Sequence, residues 1–213
     1  MRRDQRMLFD AAANGNVPEV ERLLDAGADI NAKTEFAIEA LSPLQISVFY
    51  RHHAVARVLL QRGADHSVSR RFGSKTPTHD AAFHGDAVMV RLMLQHGANI
   101  ESRDSTLQTP LHVAVHWNYV SVVAVLLEHG ADMQKRTIFK ATDASIMCQA
   151  ATPMDMTYEK DSYVNRNGVR RLLTAEQGHR NTAFLMGQHA RLGAQSLVGT
   201  IKPDLVRMIV QFL

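Results

Sequence analysis

Apolar residues in this chain fall into short blocks of two alternating kinds. One kind opens on a hydroxyl residue and a proline, as in Thr109-Pro110-Leu111-His112-Val113-Ala114. The other is apolar almost throughout, Val122-Val123-Ala124-Val125-Leu126-Leu127, and runs out at His129-Gly130-Ala131-Asp132. Each block predicts a short helix. Thr109 stands where a hydroxyl can accept from an unpaired first-turn N–H, and Pro110 takes the first helical position, where its missing N–H costs nothing. Leu111 and Ala114, three residues apart, share a helix face, and the small Ala permits close approach of a neighbour. Gly130 ends the second helix at the position a left-handed cap requires. The unit is a turn plus two antiparallel helices, and it cannot bury its apolar face without a neighbour.

The blocks recur. The first phrase returns as Ser42-Pro43-Leu44-Gln45-Ile46-Ser47, Thr76-Pro77-Thr78-His79-Asp80-Ala81 and Thr152-Pro153-Met154-Asp155, and the glycine stop as Gly27-Ala28-Asp29, Gly63-Ala64-Asp65 and Gly97-Ala98-Asn99. Pro43 to Pro77 is 34 residues and Pro77 to Pro110 is 33. This phrase at this period resembles the ankyrin repeat, over roughly residues 6 to 178. The resemblance implies an all-α solenoid of about five helix-turn-helix units joined by hairpin loops, with units at 6–32, 33–65, 66–98, 99–132 and 133–178 and a helical C-terminal cap over 179–213. It also implies that His112 ties loop to helix through hydrogen bonds, and that the chain acts by binding a protein.

Alignment of the units exposes the departures. The turn between the two helices calls for a positive φ, and it holds Gly15, Arg51, Gly85 and Asn118 in units one to four; Arg51 is the strained choice. The first unit lacks the Thr-Pro phrase, and Arg2, Arg3, Asp4, Gln5 and Arg6 ahead of it read as a polar N-terminal cap. The step from Pro110 to Pro153 lengthens to 43 residues, which inserts about ten residues in 133–151. Its Ile138, Phe139, Ile146, Met147 and Cys148 either fold back onto the stack or dock on a partner. The fifth unit is the poorest: its outer helix begins at Val169, with 158–165 as an insertion. The repeat ends at Gly178, and Thr182 to Arg191 reads as a separate short helix.

Composition narrows the class. A hydrophobic content of 46% is that of an ordinary folded chain, and a net charge of +3 does not by itself imply nucleic acid. No apolar run is long enough to span a bilayer. A single cysteine, Cys148, rules out a disulfide framework and suits a reducing compartment, cytoplasmic with the nucleus as the alternative. His79 and His112 belong to the repeat phrase; His66, His96 and His129 fall near the ends of outer helices; the adjacent His52-His53 cannot converge on one ion. No metal, cofactor, small-molecule substrate or catalytic group is expected.

Two stripes are candidate binding features. Phe49-Tyr50, Phe83-His84 and His116-Trp117 immediately precede the inter-helix turns, and would form a ladder of rings that either receives a partner along the concave face or stiffens the stack. Hairpin tips carry Lys33, Arg70, Arg71, Lys75, Arg103, Lys135, Arg136 and Lys140 against fewer acids, Glu35, Glu39, Glu101, Asp104 and Asp143. That row would steer an acidic partner, or is simply a solvated edge.

Two further resemblances concern single segments. Ile201-Lys202-Pro203-Asp204-Leu205 through Leu213 resembles the opening of an F-box, which implies a substrate adaptor bound to cullin ubiquitin-ligase subunits; the alternative is a plain cap. Leu23 together with Asp29-Ile30-Asn31-Ala32 resembles the site that oxygen-dependent asparaginyl hydroxylases act on in ankyrin repeats, with Asn31 as the target.

Overall fold

The computed structural model describes residues 3–34, 40–139, 149–153 and 167–192. The chain divides into two compact units, residues 1–172 and 173–213. In the first, four helix pairs follow one another: α1 (Arg3–Ala13) and α2 (Val17–Asp25), α3 (Pro43–Phe49) and α4 (His53–Gln61), α5 (Pro77–Phe83) and α6 (Ala87–Gln95), α7 (Pro110–His116) and α8 (Val120–Glu128). Inner helices α1, α3, α5 and α7 stack on one another in order, and so do outer helices α2, α4, α6 and α8. The architecture is the all-α repeat solenoid.

The core is set by register. Leu23, Leu59, Met93 and Leu126, each four residues before the stop glycine, are all fully buried. Between inner helices the corresponding side chains are small: Ala11, Ser47, Ala81 and Ala114 are buried, and the Ser47 hydroxyl donates to the Leu44 carbonyl at 2.7 Å. Gly27, Gly63, Gly97 and Gly130 adopt φ of 83 to 87°. A Cβ at any of them would meet nothing within 4 Å, so backbone conformation alone selects glycine there.

The inter-helix turns follow a different rule. Gly15, Arg51, Gly85 and Asn118 all have positive φ, at 70, 61, 68 and 58°. A Cβ on Gly15 would lie 2.7 Å from the His52 ring and one on Gly85 2.8 Å from the Tyr119 ring, so here the next unit seats an aromatic ring on the glycine. Arg51 instead faces Asp86. Its Nε donates to Asp86 Oδ2 at 3.1 Å, beside His53 Nε2 at 2.7 Å, while Asp86 Oδ1 caps α6 through the Met89 N–H at 3.0 Å. Burial alone would raise the Asp86 carboxyl, but the Met89 amide, His53 and Arg51 together hold it below its usual value.

The polar N-terminal residues from Arg3 onward extend α1 to 11 residues against seven in α3, and Gln5 pairs with the Asp29 backbone in both directions at 2.9 Å. Two sequence expectations change. His66 lies beyond Gly63 in the hairpin entry rather than at a helix end. The two C-terminal helices expected on either side of Gly178 are one helix, α9 (Asn167–Leu192). A mid-helix glycine costs only about 1 kcal/mol, and the Arg180–Glu176 bridge at 3.0 Å spans that position. The inserted segment is closed at its base by two short antiparallel strands, β1 (Thr137–Phe139) and β2 (Gln149–Ala151), with Ile138 opposite Ala150. Thr137 is buried and its hydroxyl donates to the Thr106 carbonyl at 2.7 Å, which anchors that base to the preceding hairpin. Lys140, Cys148, the 158–165 insertion and the F-box-like 201–213 lie outside the described residues.

Candidate interaction face

Inner helices α3, α5 and α7 each start on a reciprocal capping box and end seven residues later on exposed rings. At the start of α5, His79 Nδ1 accepts from the Thr76 N–H at 3.3 Å, so the ring proton sits on Nε2 and is donated to the Gln108 carbonyl at 2.9 Å. His112 makes the same pair of contacts with Thr109 and with the Lys135 carbonyl at 3.0 Å. Gln45 reproduces them with an amide: Oε1 accepts from Ser42 N–H at 2.9 Å and Nε2 donates to the Val68 carbonyl at 3.0 Å. This residue therefore fixes its own helix and the next hairpin at once. Burial pulls the His79 pKa down, in keeping with a neutral ring.

At the far end the rings touch. Edge-to-face contacts run from Tyr50 to Phe49 (5.2 Å between centroids), Phe49 to His84 (5.5 Å), His84 to Phe83 (5.4 Å), Phe83 to Trp117 (5.2 Å) and Trp117 to His116 (5.4 Å). The strip is continuous across three units, yet Phe49, Tyr50, Phe83 and Trp117 remain 38–54% exposed. Mutual packing and solvent exposure thus coexist in the same rings.

Two hairpin cations lie over the strip. The Arg70 guanidinium sits 5.7 Å from the Phe49 centroid and the Lys75 ammonium 5.3 Å from that of Phe83. Arg70 Nε also donates to Asp80 Oδ2 at 2.8 Å in a pair that is largely buried on both sides. Burial pushes the Asp80 carboxyl up to about 6, against the pull of Arg70.

A family model for ankyrin repeats, in three copies, matches residues 66–137, and a single-repeat model matches residues 7–35. Human cyclin-dependent kinase 4 inhibitor B is 33% identical over 98 residues, 46% of this chain and 68% of that protein. Its rat counterpart is 34% identical over the same length, covering 72% of that protein. The chain belongs to the ankyrin repeat family. Bovine mitochondrial disaggregase is 38% identical over 84 residues, 39% of this chain but only 12% of that protein, so the likeness there is to one segment. Protein–protein interaction is the activity that ankyrin repeats support.

Within these ankyrin units the expected binding residues separate into groups. The six ring residues and Arg70 come together in one strip. Arg71 is exposed at a hairpin tip beside Phe72, its guanidinium 6.0 Å from that ring. Arg103 and Arg136 are exposed on the next two hairpins, at the register position that Lys33 occupies on the first, and Lys135 is half-buried. Asn31 stands apart from the strip. It is exposed, its N–H donates to Asp29 Oδ1 at 2.9 Å, and its Oδ1 accepts from the Asp65 N–H of the next loop at 2.8 Å. Glu101 does the same for the Asp132 N–H at 2.7 Å.

Sequence reasoning missed Asp80 and the apolar hairpin tips. Asp80 occupies the register of Ile46 and Val113, both buried and apolar. Arg70, counted from the stop glycine, occupies the register of Asp104. Unit three breaks pattern at two positions ten residues apart with opposite charges, and that was the legible signal. Phe72 and Leu107, 57% and 38% exposed, occupy neighbouring hairpins that are joined by Ser105 N–H to the Gly73 carbonyl at 2.9 Å.

Proposed function

We propose that this protein is a non-enzymatic scaffold that binds a partner protein through the ends of its inner helices and the adjoining hairpins. The supporting observation is the unbroken ring strip, half-exposed across three units and flanked by Arg70 and Lys75. Aromatic residues of this kind dominate interface energetics, each worth about 2 kcal/mol or more when truncated at a hot spot. Affinity purification from cells with the wild-type chain and with Trp117→Ala is the test. Loss of specific proteins from the variant, with its helical content intact, is the expected result; an identical set of recovered proteins would rule the strip out as the binding face.

A cullin ubiquitin-ligase adaptor is the alternative reading, supported by the likeness of 201–213 to an F-box opening. Recovery of cullin subunits in the same purification, abolished by deletion of 201–213, would establish it. Location in the cytoplasm or nucleus is proposed from the single cysteine and is read directly with a fluorescent fusion. Asn31 is proposed as an asparaginyl hydroxylase substrate, supported by its flanking sequence and its exposure. An unchanged mass of the Asn31 peptide after incubation with such an enzyme would end that idea.

A further inference from the structure

The strip carries information about the chemistry of its partner, given the reading that it is a protein-binding face. Phe49 and Phe83 already have cations above them, supplied by Arg70 and Lys75 of one hairpin. A partner ammonium or guanidinium would meet like charge at those rings. The same hairpin adds exposed Arg71, and the hairpins that follow add exposed Arg103 and Arg136. Three carboxylates of these loops accept hydrogen bonds from their own loop, one of them buried. Asp104 is buried, with Oδ1 accepting from the N–H groups of Thr106 and Gln108. Asp65 Oδ1 accepts from the Ser67 N–H and hydroxyl, and Asp132 Oδ1 from the Gln134 N–H. Among the described residues, Arg71, Arg103 and Arg136 reach solvent on these hairpins together with Asp65, rings are exposed on the helices, and Phe72 and Leu107 are exposed apolar groups.

Leu107 adds to this. Its φ of 60° is a conformation that costs a non-glycine residue about 1–2 kcal/mol. The hairpin turn held by Asp104 sets that conformation, at the register of Gly73 on the previous hairpin, and it leaves the leucine 38% exposed.

We infer that the partner contributes an acidic segment with interspersed apolar side chains, its carboxylates meeting Lys75, Arg71 and Arg103 and its apolar groups meeting Phe83, Trp117, Phe72 and Leu107. Single-stranded nucleic acid also pairs anionic charge with ring stacking, but it needs open ring faces. Here the rings meet edge to face, with interplanar angles of 82–85°, and two of them are covered by cations, so a polypeptide fits the strip better.

A phage-displayed library of random linear peptides, panned against the full chain, tests the assignment. Selected peptides should be rich in Asp and Glu beside Leu, Phe or Trp. Their binding should fall about tenfold or more in both Trp117→Ala and Lys75→Glu, recover in Lys75→Arg, and weaken as salt rises from about 0.05 to about 0.5 M. Lys75 lies on a hairpin, so its variants keep the test valid if Trp117→Ala lowers stability. Basic or uncharged peptides that depend on Trp117 would overturn the acidic assignment while leaving the interaction face standing. Tight binding of a dT oligonucleotide that Trp117→Ala abolishes would overturn the polypeptide assignment in favour of nucleic acid. A library yielding nothing sensitive to Trp117 would overturn the inference; if purified cellular partners still depend on Trp117, the proposed function survives without it.

Discussion

The third and fourth units have inner helices of the same length, the same Thr-Pro-x-His start and the same reciprocal cap, and they part company one residue later. α7 places buried Val113 there and α5 places buried Asp80, held by Arg70 from the preceding hairpin. The difference separates two kinds of position in a repeat. His79 and His112 have one job, joining a helix to the next hairpin, and the chain keeps them or substitutes the equivalent Gln45. The following position need only be filled, and in unit three it is filled by an ion pair that pins a guanidinium over Phe49. Stability and surface chemistry are thus set at adjacent residues of one short helix.

The largest effect should come from breaking that pair on one side. Arg70→Ala leaves Asp80 buried without its cation and should cost about 3 kcal/mol or more at neutral pH. Converting unit three to the unit-two pattern with Arg70→Thr and Asp80→Ile together should be neutral or stabilising by about 1–4 kcal/mol, since well-packed apolar residues commonly outperform a buried pair. Urea unfolding measures both. The sign of the pH dependence follows from the raised Asp80 pKa: the folded state holds the proton more tightly than the unfolded chain. Stability from this group is therefore complete below the unfolded value of 3.8 and is lost as pH rises through about 6. The Arg70→Ala penalty should consequently be smaller at about pH 5 than at about pH 8. Equal penalties at the two values would place the carboxylate in a less buried setting.

Moving the fourth unit's inter-helix turn into the third should have the next largest effect. Gly85→Asn puts a Cβ 2.8 Å from the Tyr119 ring at a φ of 68°, and should cost about 2–3 kcal/mol. Gly130→Asn, where a Cβ meets nothing, should cost about 1 kcal/mol or less. Equal melting temperatures for the two would mean that the ring can retreat.

Arg51→Gly separates strain from contact. The residue carries a left-handed conformation worth about 1–2 kcal/mol, which from sequence alone implies a stabilised variant. Its bond to Asp86 and the looser unfolded chain of a glycine variant offset that relief. The net change should lie within about 1 kcal/mol, because Arg51 is half-exposed. A gain larger than that would show the bond to Asp86 to be idle.

His79→Gln should be the mildest change, under about 1 kcal/mol, because Gln45 makes the same two bonds one unit earlier. It should also remove a pH dependence. With its folded pKa depressed, His79 contributes stability that is present above the unfolded value of 6.5 and is lost as pH falls below it. A variant that loses stability on acidification as steeply as the wild type would place that dependence elsewhere.

The ring strip required more than the sequence. The pairs at 49–50, 83–84 and 116–117 were legible from their place before the turns, but exposure alone suggests that removing them would leave stability untouched. The edge-to-face contacts argue otherwise, since such pairs are worth about 0.5–1.5 kcal/mol each. Trp117→Ala should therefore lower the melting temperature somewhat as well as weaken binding.

What the sequence determined by itself was the periodic part, while the local continuity of α9 through Gly178 was misread because a single mid-helix glycine costs only about 1 kcal/mol. The glycines needing positive φ, the Thr-Pro starts, the buried residue four before each stop and the order of the units all follow from backbone sterics repeated at a fixed spacing. Only the tertiary structure decided what stacking brings together: the Tyr119 ring on Gly85, Arg51 on Asp86, and Arg70 between Asp80 and Phe49. The physical reason is that a repeat fixes each unit's own geometry through short-range hydrogen bonds and caps. Contacts between units join side chains some thirty residues apart, whose size and charge are free to vary as long as each meets a partner that fits.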